Sequence, residues 1–304
     1  MKNTTAHILF ISILFFIVSC GTLDSQTSKA TTEVSDQFNR YWYDGTAEVT
    51  RYDLKQSRYG EVHEGDAVLI FVTEEFRTDK QVKYEGGDRT NVAPILKLNM
   101  TKKFLTGIYP YSIMTSIFSP TNTTEKTIKI NTTTQEWCGH TFSQLNLDGQ
   151  GYNSKVFSYF QNEGDIESYI KGALTEDGLW TTIRLNPNTL PQGEVNIIPG
   201  TQYLRLKHLP TKSQKAYGNT TSYQDESISD KLLSKYTLEY GDIDRALEII
   251  YESEFPYHII AWTERSKSGN IPATTAVRSH QIKTAYWAHN SNEGGAMRKQ
   301  LGLE

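Results

Sequence analysis

Cysteine close to histidine is the first pairing with chemical potential. In Trp137-Cys138-Gly139-His140, strand alternation would bring Cys138 and His140 to one side, near enough for a thiolate–imidazole pair that could attack a carbonyl. Such a nucleophile needs a lowered thiol pKa and partial exposure. Free cysteine is among the most buried residue types, so the expectation is a buried thiol beside a packed Trp137, with Gly139 allowing a bulge.

A second set is Ser168-Tyr169-Ile170-Lys171, Tyr217-Gly218-Asn219 and Lys267-Ser268-Gly269. In that order it resembles the SxxK, YxN and KSG signatures of penicillin-recognising serine enzymes. The resemblance implies Ser168 as the acylated nucleophile, with Lys171 and Tyr217 carrying protons. Three features oppose it. The patterns are short and degenerate, Ser168 and Lys171 fall opposite the apolar stripe of the helix expected there, and Lys267 to Gly269 falls in an expected hairpin loop. Glu61, Glu64, Asp66, Glu74 and Glu75 flank a predicted strand, where a suitably spaced pair could hydrolyse a glycosidic bond; charges at strand ends are ordinarily a solvated rim. Histidines at 63, 140, 208, 258, 280 and 289 are scattered, without HExxH or paired CxxC, so no metal and no cofactor is expected. Asn-x-Thr sequons at Asn99, Asn122, Asn131 and Asn219 read as polar turn chemistry.

The other cysteine points to location. Lys2 precedes an apolar run from Ile8 to Val18, too short to span a bilayer, and Ile17-Val18-Ser19-Cys20 closes it. The quartet resembles the bacterial lipobox, which implies that residues 1–19 are a signal peptide and that Cys20 is diacylated. Several acyl chains anchor a protein essentially permanently. Residues 20–37 are polar and small, and are expected to be a flexible tether. Gly21 lacks the Asp that retains enteric lipoproteins at the inner membrane, and no acidic cluster follows Cys20. The expected location is therefore the outer membrane, facing the periplasm.

Removing residues 1–19 takes away one lysine and moves the net charge from −4 to about −5. No basic stripe exists to hold phosphates, so nucleic acid is not an expected partner. Cys138 has no partner for a disulfide in a mature monomer, and stability must come from a packed core.

The elements that must position these residues read mainly as β. Predicted strands cover 47–54, 61–73, 93–100, 109–118, 126–133, 141–147 and 152–160, then 245–252, 257–265 and 274–287. Ala67 to Val72 is continuously apolar, which predicts burial on both faces. Ile166, Tyr169, Ile170, Ala173 and Leu174 make a helical stripe with Asp165 as N-cap; Leu179, Trp180 and Ile183 suggest a second short helix ending before Pro187, and 227–235 a third. The expected fold is a single antiparallel domain over 38–289, an open or half-closed barrel-like sheet with a small helical insertion around 165–186, followed by a polar, frayed tail over 290–304.

Specific stretches carry a wider resemblance. They include Tyr41-Trp42-Tyr43-Asp44-Gly45, Arg58-Tyr59-Gly60-Glu61, Gly107-Ile108-Tyr109-Pro110-Tyr111-Ser112, Glu136-Trp137-Cys138-Gly139-His140 and Tyr203-Leu204-Arg205-Leu206-Lys207-His208. Together they resemble an envelope lipoprotein family of Bacteroidota, of flavobacterial type, often labelled "septum formation inhibitor Maf". The Ser-x-Ser-Pro-Arg-Arg phosphate-binding start of true Maf pyrophosphatases is absent here, so the resemblance implies compartment and no activity. The expected function is non-catalytic binding of a lipid, a glycan or an envelope protein. An apolar ligand would require one pocket lined by strand aromatics such as Tyr109, Tyr111, Phe157, Tyr159 and Trp262. The rivals are an envelope hydrolase using Cys138 with His140 or Ser168 with Lys171, and a structural or assembly scaffold.

Overall fold

The alternating segments pair as strands in the computed structural model, which describes residues 36–122 and 125–303. Cys20 and the segment before it lie outside the described residues. β1 (Ala47–Arg58) and β2 (Glu61–Arg77) form a hairpin through Tyr59-Gly60, both at positive φ. β4 (Val92–Thr106), β5 (Tyr109–Pro120), β6 (Lys129–Glu136), β7 (Gly139–Asp148), β8 (Gly151–Ser158) and β9 (Ile166–Lys171) follow as an antiparallel meander, with β3 (Val82–Lys83) a stub on β2.

The other half starts two residues after β9. β10 (Leu174–Thr175) pairs in parallel with β11 (Gly193–Ile198). β12 (Gln214–Tyr223), β13 (Leu233–Tyr240), β14 (Ala246–Glu252), β15 (Ile259–Arg265) and β16 (Thr274–Thr284) continue antiparallel, and β16 pairs with β1 from Ala47↔Thr284 to Lys55↔Thr275. The result is one 16-stranded sheet with β10 and β9 at its two edges. Among the described residues no ladder joins these edges, so the sheet is not closed into a barrel. Yet only Gly172 and Ala173 separate β9 from β10, and three Cα steps reach at most about 11 Å. The sheet therefore curls round until its edges approach.

The expectation of a mainly β, antiparallel, open barrel-like sheet agrees with this architecture. The helical insertion is placed differently. Ile166 to Lys171 is strand, because six residues pair with β8 from Val156↔Ile166 to Gly151↔Lys171, and Asp165 at φ 40° does not cap a helix. A six-residue segment satisfies both periodicities, and the neighbouring edge decides between them. The second helix is present as α2 (Glu176–Leu185). Residues 226–228 make a turn instead of a third helix, and β13 follows after Leu232, held on both sides by β12 and β14.

α2 occupies the interior of the curl, and every residue in it except Thr182 is buried. Leu179, Trp180 and Ile183 pack among inward residues of the sheet such as Leu98, Ile113, Leu238 and Trp262. The Thr175 hydroxyl caps the helix by accepting from Gly178 N (3.2 Å). α1 (Asp36–Trp42) covers the end of the curl where β14 turns into β15, and α3 (Thr201–Lys207) links β11 to β12 at the other end. Burial on both faces of Ala67 to Val72 is present: Leu301, just past α4 (Gly295–Gln300), packs with Val49, Val68 and Val72 on the outer face. The expected frayed tail thus carries a short helix and a buried leucine. No helix among the described residues is long and apolar enough to cross a membrane.

Candidate functional site

Strands β6 to β9 diverge from the interior helix, and their concave face stands opposite α3. Between them lies a cavity of about 420 Å³, within the range of about 300–1,000 Å³ usual for small-molecule sites. Its sheet wall carries hydroxyls where a β core ordinarily has apolar side chains. Ser154 and Ser168 are cross-strand partners on β8 and β9, as are Thr132 and Ser143 on β6 and β7, and Thr141 lies two residues before Ser143. Val156, Ile166, Leu204 and Leu209 supply the apolar part.

The hydroxyls divide into two groups. Thr132 Oγ1 is 2.6 Å from Thr201 Oγ1 and 2.7 Å from Thr115 Oγ1, and Thr201 in turn donates to Asp177 Oδ2 (2.8 Å). These belong to the scaffold. Thr141, Ser143, Ser154 and Ser168 make no side-chain hydrogen bond with any described residue, although Thr141 and Ser154 are buried. Their oxygens face the open space of the cavity.

One end of the cavity is charged. The Arg205 side chain, 9% exposed, lies between Glu136 Oε1 and Glu163 Oε2, each 3.8 Å from a guanidinium nitrogen. That distance makes an ion pair and exceeds hydrogen-bond reach. Arg205 Nη1 is 3.2 Å from His208 Nδ1, the guanidinium stacks over Phe160 at 4.5 Å, and Nε has no partner. His208 contacts Glu163 directly and terminates α3 in the left-handed region at φ 55°.

Behind the cavity, α2 is held by buried ion pairs. Glu176 accepts from Arg245 Nε (3.0 Å) and Tyr240 OH (2.7 Å), while Glu264 bridges Arg245 (2.9 Å) and Lys102 (2.6 Å). Near the opposite end of the helix Arg184 grips Glu48, with Nη2 to Oε2 at 2.6 Å. His258 lies between Glu48 (3.4 Å) and Glu252 (2.9 Å). Burial alone would raise the Glu48 carboxyl, but the charge and hydrogen bonds of Arg184 hold it well below the usual carboxylate range.

The predicted catalytic pairs are not assembled. Cys138 is exposed, not buried, because it sits with Trp137 in the two-residue turn between β6 and β7. His140 is on β7 and exposed, and no hydrogen bond joins it to Cys138. The Glu136 carboxylate beside Cys138 raises its thiol pKa, the reverse of what a nucleophile requires. Ser168 lines the cavity, but three residues along a strand is an odd step, so Lys171 projects from the other face. Tyr217 and Lys267 border a different groove, where Lys267 Nζ bonds the carbonyls of Tyr240 and Gly241. Glu74 and Glu75 pair with Lys97 and Arg89. Among the described residues no group of three or more His, Cys, Asp or Glu could hold a metal ion.

The five aromatics expected to line an apolar pocket do not converge. Tyr111 and Trp262 are packed inside, Phe157 and Tyr159 are exposed, Tyr109 is half-buried, and none lines the cavity. Strand parity separates them: Tyr111 and Trp262 occupy inward positions, and Phe157 an outward one.

Arg205, Glu163, Thr141, Ser143 and Ser154 were not singled out by sequence. A signal existed in β6, Lys129-Ile130-Asn131-Thr132-Thr133-Thr134-Gln135-Glu136, which is polar at both parities and so cannot face an ordinary core. The antiparallel order also places the turns of the β1–β2, β4–β5 and β6–β7 hairpins and the β8–β9 loop at one end, where Tyr59, Ile108, Trp137 (68% exposed) and Tyr159 (78% exposed) form an aromatic and aliphatic rim. Several stretches quoted above for the family resemblance meet here: Tyr59 OH is 2.8 Å from Tyr111 OH, Tyr109 stacks on Trp137, and Arg58 bonds the Leu206 carbonyl. No family model, curated protein or solved structure matches this chain.

Proposed function

We propose that this protein is an envelope lipoprotein, tethered through lipid on Cys20, that holds a small ligand without chemical conversion in the cavity between α3 and strands β6 to β9. The observation that carries the binding reading is the row of unpartnered hydroxyls at Thr141, Ser143, Ser154 and Ser168 facing a 420 Å³ space. None of these oxygens is sealed from water, so water fills their open valences when no ligand is bound, and a ligand that displaces it must return the hydrogen bonds or lose about 1–3 kcal/mol for each one left unmet. The separation of Cys138 from His140 and of Ser168 from Lys171 favours binding over hydrolysis.

The anchor rests on the short apolar run ending at Ile17-Val18-Ser19-Cys20, and the periplasmic face of the outer membrane on Gly21 and the absence of an acidic cluster after Cys20. Palmitate labelling should be incorporated by the native protein and lost in Cys20→Ala. For the cavity, native mass spectrometry of protein extracted mildly from its own membrane should show a bound small molecule. Ser154→Trp, which fills the space, should remove it. Equal masses for the two proteins, corrected for the substitution, would refute a ligand site.

A second reading is favoured by the rim. Clustered exposed Trp, Tyr and Ile side chains are typical anchors of protein interfaces, and an envelope partner could seat on them. Trp137→Ser combined with Ile108→Ser should then abolish co-purification of that partner while leaving the small molecule in place.

A further inference from the structure

Resting on the cavity being a ligand site, we infer that its ligand is a neutral, hydroxyl-rich molecule: a saccharide, free or as the sugar end of a glycolipid. Three properties of the wall select this class. First, the free hydroxyls of Thr141, Ser143, Ser154 and Ser168 are each both donor and acceptor. A hydrocarbon chain in their place would leave all of them unsatisfied, whereas a polyol can pair with each in either sense.

Second, the charged end is balanced against anions. Arg205 is the cation there, but Glu136 and Glu163 stand 3.8 Å from it on either side. A phosphate, sulfate or carboxylate approaching Arg205 would meet two carboxylates at the same time. A neutral diol meets no such repulsion. The terminal guanidinium nitrogens stand 3.8 Å from the two carboxylates, beyond hydrogen-bond reach, so they keep N–H donors for a ligand, and the adjacent Glu163 carboxylate can accept from a sugar hydroxyl. Planar donor and acceptor groups side by side match two hydroxyls on neighbouring ring carbons.

Third, the wall is not uniformly polar. Val156, Ile166, Leu204 and Leu209 interrupt the hydroxyls. A pyranose ring likewise has C–H faces and hydroxyl edges, so one ligand satisfies both kinds of surface.

The test uses the full-length lipoprotein in nanodiscs on an array of neutral oligosaccharides, with uronic-acid oligosaccharides as anionic comparators. Neutral sugars should be retained, and Thr141→Val with Ser154→Ala, which remove two hydroxyls at nearly constant volume, should weaken the best of them by about tenfold or more at unchanged melting temperature. Vesicles carrying the same sugar on lipid, run beside the free sugar, identify its source. Preference for the uronates would overturn the assignment. So would retention of no sugar while mass spectrometry still finds a molecule that Ser154→Trp displaces; in that case the cavity remains a ligand site and only the ligand class fails. Retention of no sugar together with equal masses would remove the site itself.

Discussion

Asp177 sits at the start of α2 with no cation bonded to it among the described residues, accepting from the backbone N–H and hydroxyl of Thr201 (3.0 and 2.8 Å). Burial pushes its carboxyl up to about 7, against those hydrogen bonds and with help from the charge on Glu176. A group whose folded pKa exceeds the ordinary 3.8 contributes its stability below that value and loses it as pH rises to about 7. Asp177→Asn keeps an oxygen for Thr201 and removes the titration. Urea melts should therefore show a wild-type decline between pH 4 and 7 that is absent in the variant, leaving the variant more stable at pH 8 by a few kcal/mol, on the order of 1.4 per pKa unit. Parallel curves would mean that Asp177 is equally ionised in both states. Glu264 has the opposite sign: burial opposes its charge, but Lys102 and Arg245 lower it to about 2, so its contribution is present above 4.5 and fades as pH falls toward 2. At the other end of α2, Arg184→Met would leave buried Glu48 with only Tyr41 and His258 beside it, at a cost toward the lower end of about 3–5 kcal/mol. Adding Glu48→Gln should recover part of that loss, and a double-mutant cycle by chemical denaturation would measure the coupling.

At the scale of elements, the interior is organised by α2. Ile183 is fully buried and belongs to the same apolar cluster as Leu98 and Trp262. Ile183→Ala is expected to cost about 2–5 kcal/mol in equilibrium unfolding, with loss of amide protection in strands of both halves of the sheet rather than one. The strands flanked by short turns were legible in sequence because their period was clean: Ala47 to Leu54 and Thr274 onward could be nothing else. β9 reads as helix in sequence because Ile166 and Ile170, four apart, share a face in a helix and in a strand alike, and only pairing with β8 separates the two. β13 was misread because Ser227 to Lys235 mixes turn residues with the first residues of a strand. The site was less legible than the fold. Ser168 carries a signature it does not fulfil, while its cross-strand partner Ser154 and the other cavity-lining group Arg205 come from segments 14 and 37 residues away in the chain. Cys138 was expected to be buried from its type, but a turn position overrides a residue's average preference.

Seen as a whole, the molecule has two distinct ends. The chain enters the body through α1, where Tyr41 bonds His258 (3.0 Å), and the exposed rim of Tyr59, Ile108, Trp137 and Tyr159 lies at the opposite end with the charged mouth of the cavity. Apart from the β3 stub, which β2 passes over to pair with β4, described strands pair with their sequence neighbours except β1 with β16, which are joined through nine residue pairs. That one long-range ladder has a consequence for how the chain could be rewired. If the segments flanking β1 and β16 were joined by a flexible linker and the chain opened at Gly172, the circular permutant would run β10 through β16 and then β1 through β9, so that sequence order and spatial order coincide. It is expected to fold with the native circular dichroism spectrum, and faster than the natural chain, because every ladder would become local. Stopped-flow refolding would check this, and a permutant that failed to fold would show that the Gly172–Ala173 link is needed to bring α2 inside. In that light the natural protein is a meander, with one parallel crossover through α2, whose first and last strands meet in the middle of the sheet instead of at its borders.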